Sequence, residues 1–314
     1  MPLILVVLTV VGSLLARALR WQVYFLPQRH VPFRPLLSTL TISYMASTFL
    51  PFRAGELVRA VFLGRREALP VPRIVGTILL EKLFDFLAIG VMLVVLLAIA
   101  PDLPIQARLA GNLIVLVILI GFGSVVALAV WREHALRALA LVDRYLPRIR
   151  LEPIARQFAE GTDSLRRAGL WVPLLGWTCV TWVLSVAGGW AGTAALDLRP
   201  GVAALIFLSV LPSAGQAVPS SPGYVGVYHA AAVLALTSFG IDPVSAFGVA
   251  VLIHAFSYGI LVVLGLLALW VDGYSLGDLA VGVRGSGSGV GPSPERSVDR
   301  APQSLAPNPQ PPDG

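Results

Sequence analysis

Six ionisable side chains lie within or against apolar segments in the first third of the chain. They are Arg53, Glu56, Arg59, Glu81, Lys82 and Asp85. A charge near the middle of a bilayer helix costs about 2.5 to 3.5 kcal/mol on insertion scales, so such residues usually face a protein interior or a wet cavity. We expect Glu56 to pair with Arg53 or Lys82. The residues of this group are therefore the first candidates for a functional site.

The spacing of the later charges predicts their geometry. Glu81 and Asp85 are four residues apart and share one face of a helix, whereas Lys82 points about 100° away. We expect Arg59, from the segment upstream, to pair with Glu81 or Asp85. The alternative is that these charges only hold two helices in register, as buried ion pairs can do.

The composition indicates an integral membrane protein. Apolar residues make up 56% of the 314 residues, charged residues only 13%, and the mean hydropathy is +0.81, whereas soluble proteins are about a quarter charged. The net charge of +6 comes almost wholly from arginine, with Lys82 the only lysine. These arginines cluster beside apolar runs, which is typical of the positive-inside rule and not of nucleic-acid binding. The arginine-rich, lysine-poor usage indicates a bacterial genome of high GC content.

Five apolar runs are long enough to predict membrane helices. They cover residues 2–19, 74–100, 112–131, 171–196 and 244–271. The first run ends in Arg17, Arg20 and Trp21, which we interpret as an anchor at the membrane interface. No basic segment precedes this run and no small-residue cleavage site follows it, so we expect a retained helix and not a signal peptide.

Two further segments predict broken or re-entrant helices. Residues 36–52 are short and polar for a span and have arginine-rich flanks on both sides. A helix that enters from the cytoplasmic face and returns would explain both flanks. In the second segment, residues 202–229, the proline and glycine residues around Gly223 and Gly226 interrupt an apolar helix. A true span for the first segment and a kinked structural helix for the second are the alternatives.

The remaining segments are polar connections. Residues 132–169 carry eight arginines against five acids and contain an amphipathic helix, which either lies in the membrane interface or docks on the bundle as a connector. Residues 272–314 are rich in Gly, Ser and Pro, which predicts disorder. We therefore divide the chain into a polytopic membrane domain, 1–271, and a disordered cytoplasmic tail, 272–314. The predicted fold class is an all-α polytopic helical bundle with two broken or re-entrant segments.

Four blocks of sequence, in this order, resemble one membrane family. They read LLARALRW, STFLPFRAGELVRA, ILLEKLFDF and PSSPGYVGVYHAAAVLAL. Together they are similar to the flippase-like membrane domain of the lysylphosphatidylglycerol synthase family, and the resemblance covers most of the chain. It implies polytopic helices with re-entrant segments and a role in moving membrane lipids. It also implies roles for Arg53, Glu56 and Arg59, for Glu81 and Asp85, and for Pro222, Gly223 and Gly226.

The sequence departs from the family pattern in three ways. His229 stands where many relatives carry an acidic residue, which would change headgroup preference. The family's usual first hydrophobic segment does not precede the Arg-Trp block, so we expect the chain to begin one helix late. No soluble aminoacyl-transferase domain follows, so we do not expect lysyl transfer by this polypeptide.

These observations predict a lipid flippase in the bacterial cytoplasmic membrane that moves an anionic or glycosylated lipid between leaflets. Arg53, Arg59, Gly223, Gly226 and His229 would contact the headgroup. Glu56, Glu81, Lys82 and Asp85 would form the charge network that holds the arginines and exchanges partners.

Two other classes of function are open at this point. The chain could scaffold a lipid-modifying enzyme or a glycosyltransferase that assembles cell-envelope polysaccharide, without transporting anything. An intramembrane hydrolase, built from Ser220 or Ser221 with His229 or His254, is the weaker alternative because the serine lies between prolines and lacks an oxyanion loop. We expect no enzyme activity, no metal and no cofactor.

Overall fold

A computed structural model of the chain describes residues 1–50, 54–100, 105–145, 151–216, 221–274 and 277. All regular structure in those residues is helical, which confirms the predicted all-α class. The α-helices in chain order are α1 (Pro2–Phe25), α2 (Phe33–Phe49), α3 (Ala54–Glu67), α4 (Val71–Ile99), α5 (Ile105–Val130), α6 (Arg132–Tyr145), α7 (Leu151–Gly161), α8 (Trp171–Ala194), α9 (Val202–Gly215), α10 (Val227–Thr237) and α11 (Pro243–Asp272).

Within this described part, five segments are long and apolar enough to cross a membrane. They are Pro2–Phe25, Val71–Ile99, Gly111–Val130, Ala168–Ala194 and Pro243–Asp272, with mean hydropathies between 1.6 and 3.0. A helix needs about 20 residues to span the hydrocarbon core, and each segment meets that length. The five predicted spans are therefore confirmed, and the chain is a multi-pass membrane protein.

The first broken segment folds into a helical hairpin made of α2 and α3, which we call the first hairpin. Its helices have 17 and 14 residues, fewer than the roughly 20 residues of a typical span. They approach closely at Gly55, where an added Cβ would lie 2.8 Å from the backbone nitrogen of Ser47 and would also clash with the Ser43 carbonyl. The Ser43 hydroxyl donates to the Gly55 carbonyl at 2.8 Å. The predicted segment is therefore one continuous helix that pairs with α3, and its re-entry into the membrane remains a prediction.

The second broken segment forms another hairpin from α9 and α10, which we call the second hairpin. These helices have 14 and 11 residues and pack together where Gly215 faces Val227. A 3-10 turn at Pro222–Tyr224 lies just before α10. Gly223 and Gly226 have φ angles of +62° and +89°, which L side chains rarely adopt. The two glycines thus allow the chain to turn back, as the broken-helix prediction required.

The ends of the two hairpins meet. A Cβ at Gly223 would lie 3.3 Å from the carbonyl oxygen of Thr48, near the end of α2. Two residues 175 positions apart in the chain are therefore in direct contact. This arrangement places the two hairpins against one another inside the bundle.

The amphipathic connection docks on the bundle. Gly161, at the end of α7, packs against Gly76 of α4, where an added Cβ on Gly76 would lie 3.1 Å from the Gly161 Cα. Arg73 and Glu160 form an ion pair beside this contact. Of the two interpretations of this helix, the structure therefore favours the docked connector.

The end of α11 also belongs to the folded unit. Asp272 pairs with Arg66 of α3 and accepts a hydrogen bond from the Ser38 hydroxyl of α2. Tyr274 packs edge-on against Phe62, with ring centroids 5.0 Å apart. The domain division at 271 and the nature of the tail remain predictions, because residues 278–314 lie outside the described residues.

Candidate functional site: a charge network around a polar cavity

The centre of the charge network is a fully buried ion pair between α3 and α4. Arg59 Nη2 lies 2.7 Å from Glu81 Oε2, and the two side chains are 2% and 1% exposed. The Arg59 guanidinium also stacks on the Trp21 ring, 3.6 Å from its centroid. Trp21 is fixed in turn, because its indole N–H donates to the Thr77 hydroxyl at 2.9 Å. The predicted pairing of Arg59 with a carboxylate of α4 is confirmed.

A second ion pair joins the same two helices closer to water. Lys82 Nζ lies 2.9 Å from Glu56 Oε1, and the side chains are 25% and 29% exposed. The two ion pairs use neighbouring residues of α4, so a fully buried pair lies beside a partly exposed one. The predicted pairing of Glu56 with Lys82 is confirmed, whereas Arg53, the other predicted partner, lies outside the described residues.

Asp85 pairs with α1. Its two carboxylate oxygens lie 3.1 Å from Arg17 Nη1 and 2.8 Å from Arg20 Nη1. Arg20 is completely buried and also donates to the Thr178 hydroxyl of α8 at 3.0 Å. One carboxylate therefore ties two arginines of α1 to α4.

The interpretation of Arg17, Arg20 and Trp21 as an interfacial anchor is wrong. Arg20 and Trp21 are 0% exposed and face α4. The physical reason is charge balance, since Asp85 in an apolar helix requires a cation and α1 supplies two. Positions 17, 20 and 21 share one helix face, as residues three and four apart do, but this pattern fits an anchor and a buried contact equally well.

A polar cavity of about 340 Å³ lies beside these ion pairs, within the size range of ligand sites. Helices α1–α4 and α8–α11 all contribute to its wall. The charged side chains among its described lining are Arg17, Glu56, Arg59, Lys82 and Asp85. Three of these are basic and two are acidic, so this part of the lining carries a formal excess of one positive charge.

Twelve of the other lining residues carry a hydroxyl group. They are Thr9, Ser13, Ser43, Tyr44, Ser47, Ser185, Ser209, Ser213, Tyr224, Tyr228, Ser257 and Tyr258. Several of them donate their hydrogen to a backbone carbonyl, as Thr9 does to Val6 and Ser209 does to Leu205. The capacity that such a hydroxyl retains is that of an acceptor. The cations of the cavity can therefore bind a negatively charged group of a ligand. Its hydroxyl oxygens can accept hydrogen bonds from hydroxyl or ammonium groups of the same ligand.

Comparison with known proteins places the chain in a family. The sequence profile of the lysylphosphatidylglycerol synthase TM region matches residues 1–265. The chain belongs to this family. No curated protein and no solved structure was found to match it. The matched range contains all of α1–α10 and most of α11, so the cavity and the ion pairs lie within the part that defines the lysylphosphatidylglycerol synthase TM region. Membership connects the chain with membrane lipids.

The late block of this family member reaches the cavity through its tyrosines. Tyr224 and Tyr228 line the cavity, whereas Gly223, Gly226 and His229 are not among the described lining residues. The glycines shape the turn that carries Tyr224. The prediction that these glycines contact a headgroup remains untested.

His229 points towards α11. Its ring stacks on His254 with centroids 4.7 Å apart, and its Nδ1 accepts from the Gly226 backbone N–H at 3.3 Å. Since one imidazole nitrogen already caps α10, the remaining polar function of His229 is limited to Nε2. Sequence reasoning missed His254 as the neighbour of His229, because 25 residues separate them and only the packing of α10 on α11 brings the rings together.

The described residues show neither a candidate metal centre nor a hydrogen bond from Ser221 to a histidine. They contain no group of three His, Cys, Asp or Glu side chains placed to hold a metal ion. The Ser221 hydroxyl donates to the Val225 carbonyl at 2.5 Å and not to a histidine. Ser220 lies outside the described residues.

Proposed function

We propose that this protein moves an anionic or glycosylated lipid between the leaflets of the bacterial cytoplasmic membrane. The observation that carries the proposal is the cavity, which combines cations and hydroxyls inside a helical bundle that is otherwise apolar. Polar groups at membrane depth are costly and generally mark a pathway or a binding site. A lipid headgroup is a polar ligand that is present in every membrane.

The charges of the cavity support a phosphate-bearing headgroup. Lys82 and Glu56 line the cavity and are about one-quarter exposed, so an anion can reach Lys82 by displacing Glu56. Arg17 shares Asp85 with Arg20, and it is the more exposed of the two arginines. A headgroup phosphate would replace one carboxylate partner at a time, which keeps each cation paired while the phosphate moves.

The hydroxyls support a headgroup that carries its own donors. Ser43 and Ser47 line the cavity, and their hydrogens are used by the Gly55 and Ser43 carbonyls. Their oxygens can accept hydrogen bonds from glycerol or sugar hydroxyls. The same acceptors would satisfy an ammonium group, so the lining favours a hydroxylated or amine-bearing headgroup beside the phosphate.

Arg59 and Glu81 have a different role in this proposal. They are almost completely buried, and Arg59 is already held by Glu81 and by the face of Trp21. We propose that this ion pair keeps α3 and α4 in register while Lys82 and Arg17 exchange partners. Arg53, which lies outside the described residues, stays a predicted headgroup contact.

The orientation in the membrane follows from arginine placement. The connection that contains α6 and α7 has eight arginines against five acids between residues 132 and 169, which supports a cytoplasmic position by the positive-inside rule. The chain after this connection has an even number of crossings, since α8 and α11 span and the second hairpin adds none or two, which supports a cytoplasmic C-terminal tail.

The experiment is lipid movement in proteoliposomes with labelled phosphatidylglycerol and, in parallel, a labelled glycolipid. We expect Lys82→Gln to slow movement at least about tenfold, since a charge-assisted contact contributes about 1.5 to 3 kcal/mol. Arg166→Gln is the matched control, because Arg166 is exposed and lies outside the cavity. Lys82→Arg should restore movement in part.

Two results would count against transport. Full activity of a folded Lys82→Gln variant would show that the lipid does not pass through the cavity. No movement of either lipid by well-folded wild-type protein would favour the scaffold function, in which a lipid-modifying enzyme or glycosyltransferase binds this chain. In that case, co-purification of such an enzyme would be the next measurement.

A further inference from the structure

A second concave surface lies on the side of the bundle, between α4, α8 and α9. It has a volume of about 790 Å³. Its described lining is Phe84, Leu87, Ala88, Val91, Met92, Val95, Leu175, Thr178, Cys179, Trp182, Val183, Val186, Ala187, Trp190, Val202, Leu205 and Ile206. We call this surface the lateral groove.

The lateral groove is suited to hydrocarbon alone. Its hydroxyl, on Thr178, is already used twice, because it donates to the Leu174 carbonyl at 2.7 Å and accepts from Arg20 at 3.0 Å. The other lining side chains are aliphatic, aromatic or sulfur-containing. An apolar surface of this size and depth in a membrane protein fits an acyl chain or an apolar helix.

One residue connects the groove with the polar cavity. Trp182 lines both, and only 6% of its surface is exposed. Its indole N–H is buried and has no hydrogen-bond partner. Leaving such a donor unsatisfied is costly, and a buried tryptophan N–H usually finds an acceptor. The boundary between the polar and apolar surfaces therefore carries a donor without an acceptor.

We propose that the lateral groove holds an acyl chain of the transported lipid while its headgroup occupies the polar cavity, with the Trp182 indole N–H donating to an ester or phosphate oxygen between them. The inference rests on the proposed function and adds the route by which the lipid enters the protein. The lipid enters sideways between α4 and α8, and its chain never leaves an apolar surface. The lipid class is one with oxygen acceptors where chain and headgroup join.

A helix from a second copy or from another protein is the competing occupant. A helix could cover the aliphatic wall, but its own backbone carbonyls are used within the helix. It would leave the Trp182 N–H unsatisfied. A lipid satisfies the apolar wall and the orphan donor with one molecule, which is why we favour it.

Cys179 makes the first test direct, because it is the only cysteine of the chain, lies in the groove and is exposed. We would label it with a small fluorophore and add a low fraction of phosphatidylglycerol with brominated acyl chains. The control is Leu116→Cys in a Cys179→Ala background, since Leu116 is 53% exposed on α5 and lies outside the groove. We expect stronger quenching at Cys179 than at the control position.

Trp182→Phe tests the hydrogen bond. An aromatic ring is kept, although a smaller one, and the donor is lost, so we expect the excess quenching at Cys179 to require about 3- to 10-fold more brominated lipid. Equal quenching at both labelled positions would mean that only bulk lipid touches the groove and would overturn the proposal. No quenching at Cys179, together with cross-links from Cys179 to another chain, would overturn it in favour of a protein occupant.

Filling the groove with a bulky side chain distinguishes this inference from the proposed function. Ala187→Phe adds bulk inside the groove, and Ala98→Phe adds it on an exposed face of α4 outside it. We expect movement of labelled lipid to be lost only in Ala187→Phe. If wild type and both variants transport equally, the groove inference fails and the transport proposal stands. If wild type does not transport but Cys179 shows the selective quenching, transport fails and the lipid site stands.

Discussion

At the scale of single residues, the ion pairs differ in burial. The Arg59–Glu81 pair is fully buried, and we call it the dry pair, whereas the other pairs are more exposed. Arg59 and Glu81 are at most 2% exposed, whereas Lys82 and Glu56 are between 25% and 29% exposed. Desolvation makes exchange of the dry pair costly, because an uncompensated charge would remain in the interior. A half-buried pair can change partners at a lower cost. The two kinds of pair should therefore respond differently to substitution.

Removing one partner of the dry pair should destabilise the protein more than removing both. We expect Arg59→Met and Glu81→Leu alone to cost about 3 to 5 kcal/mol each, because each leaves a buried charge unpaired. The double variant should regain most of that loss. The measurement is the apparent melting temperature in detergent, with Arg166→Met as an exposed control. A double variant as unstable as the sum of the single ones would contradict this explanation.

The residue scale also shows where sequence reasoning reaches its limit. The pairing of Arg59 with Glu81 or Asp85 could be predicted, because an apolar helix with carboxylates at positions 81 and 85 needs cations from the nearest segment, but the choice of Glu81 could not. The role of Arg20 could not, since an arginine at the end of an apolar run fits an interfacial anchor equally well. Only the packing of α1 on α4 decides between the two.

At the scale of elements, small residues set how closely the helices approach. Gly55 lies against the Ser43–Ser47 turn of α2, and Gly265 of α11 lies against Met45 of the same helix. An added Cβ at either glycine would meet its neighbour at less than 3.0 Å. α2 is therefore enclosed on two sides, which holds a helix that is shorter than a typical span.

Gly55→Val should open the first hairpin. The branched side chain would clash with backbone atoms of α2, which cannot rotate away, so we expect a loss of at least about 1 to 3 kcal/mol. Gly121→Val is the matched control, because nothing lies within 4 Å of a Cβ there. We would compare melting temperatures and lipid movement. A Gly55→Val protein as stable and active as the control would show that the close contact is not needed.

Element boundaries were predicted best where hydropathy alone decides. The five spans follow from apolar length, and the two hairpins follow from Pro, Gly and polar residues that interrupt apolar runs. The end of α1 was predicted at residue 19, but the helix continues to Phe25. The reason is that Arg17 and Arg20 find a carboxylate inside the bundle, so they do not mark the end of the buried part.

At the scale of the whole molecule, the two hairpins, the cavity and the lateral groove form one arrangement. The hairpin ends meet at Thr48 and Gly223, and Trp182 separates the cavity from the groove. None of these contacts could be predicted from a single sequence, because they join positions far apart in the chain. The sequence shows the composition of each helix and hairpin, but it does not show which of them contact each other.

If a headgroup passes between the two hairpins, their ends must separate during transport. We would introduce Thr48→Cys and Gly223→Cys into a Cys179→Ala background, since a Cβ at position 223 would be in van der Waals contact with the Thr48 side chain, 3.7 Å from its Cγ2. We expect oxidation to stop lipid movement and reduction to restore it. Each single-cysteine variant controls for the strain of a side chain at the positive φ of Gly223.

The cross-link separates two routes for the headgroup. A protein that is fully cross-linked, folded and inactive requires that the hairpin ends move apart, because reduction of one bond restores activity without changing any side chain in the cavity. A cross-linked protein with unchanged activity would place the headgroup path elsewhere in the bundle. In that event the half-buried Lys82–Glu56 pair could still bind the headgroup, but the hairpins would serve as a fixed frame and not as a gate.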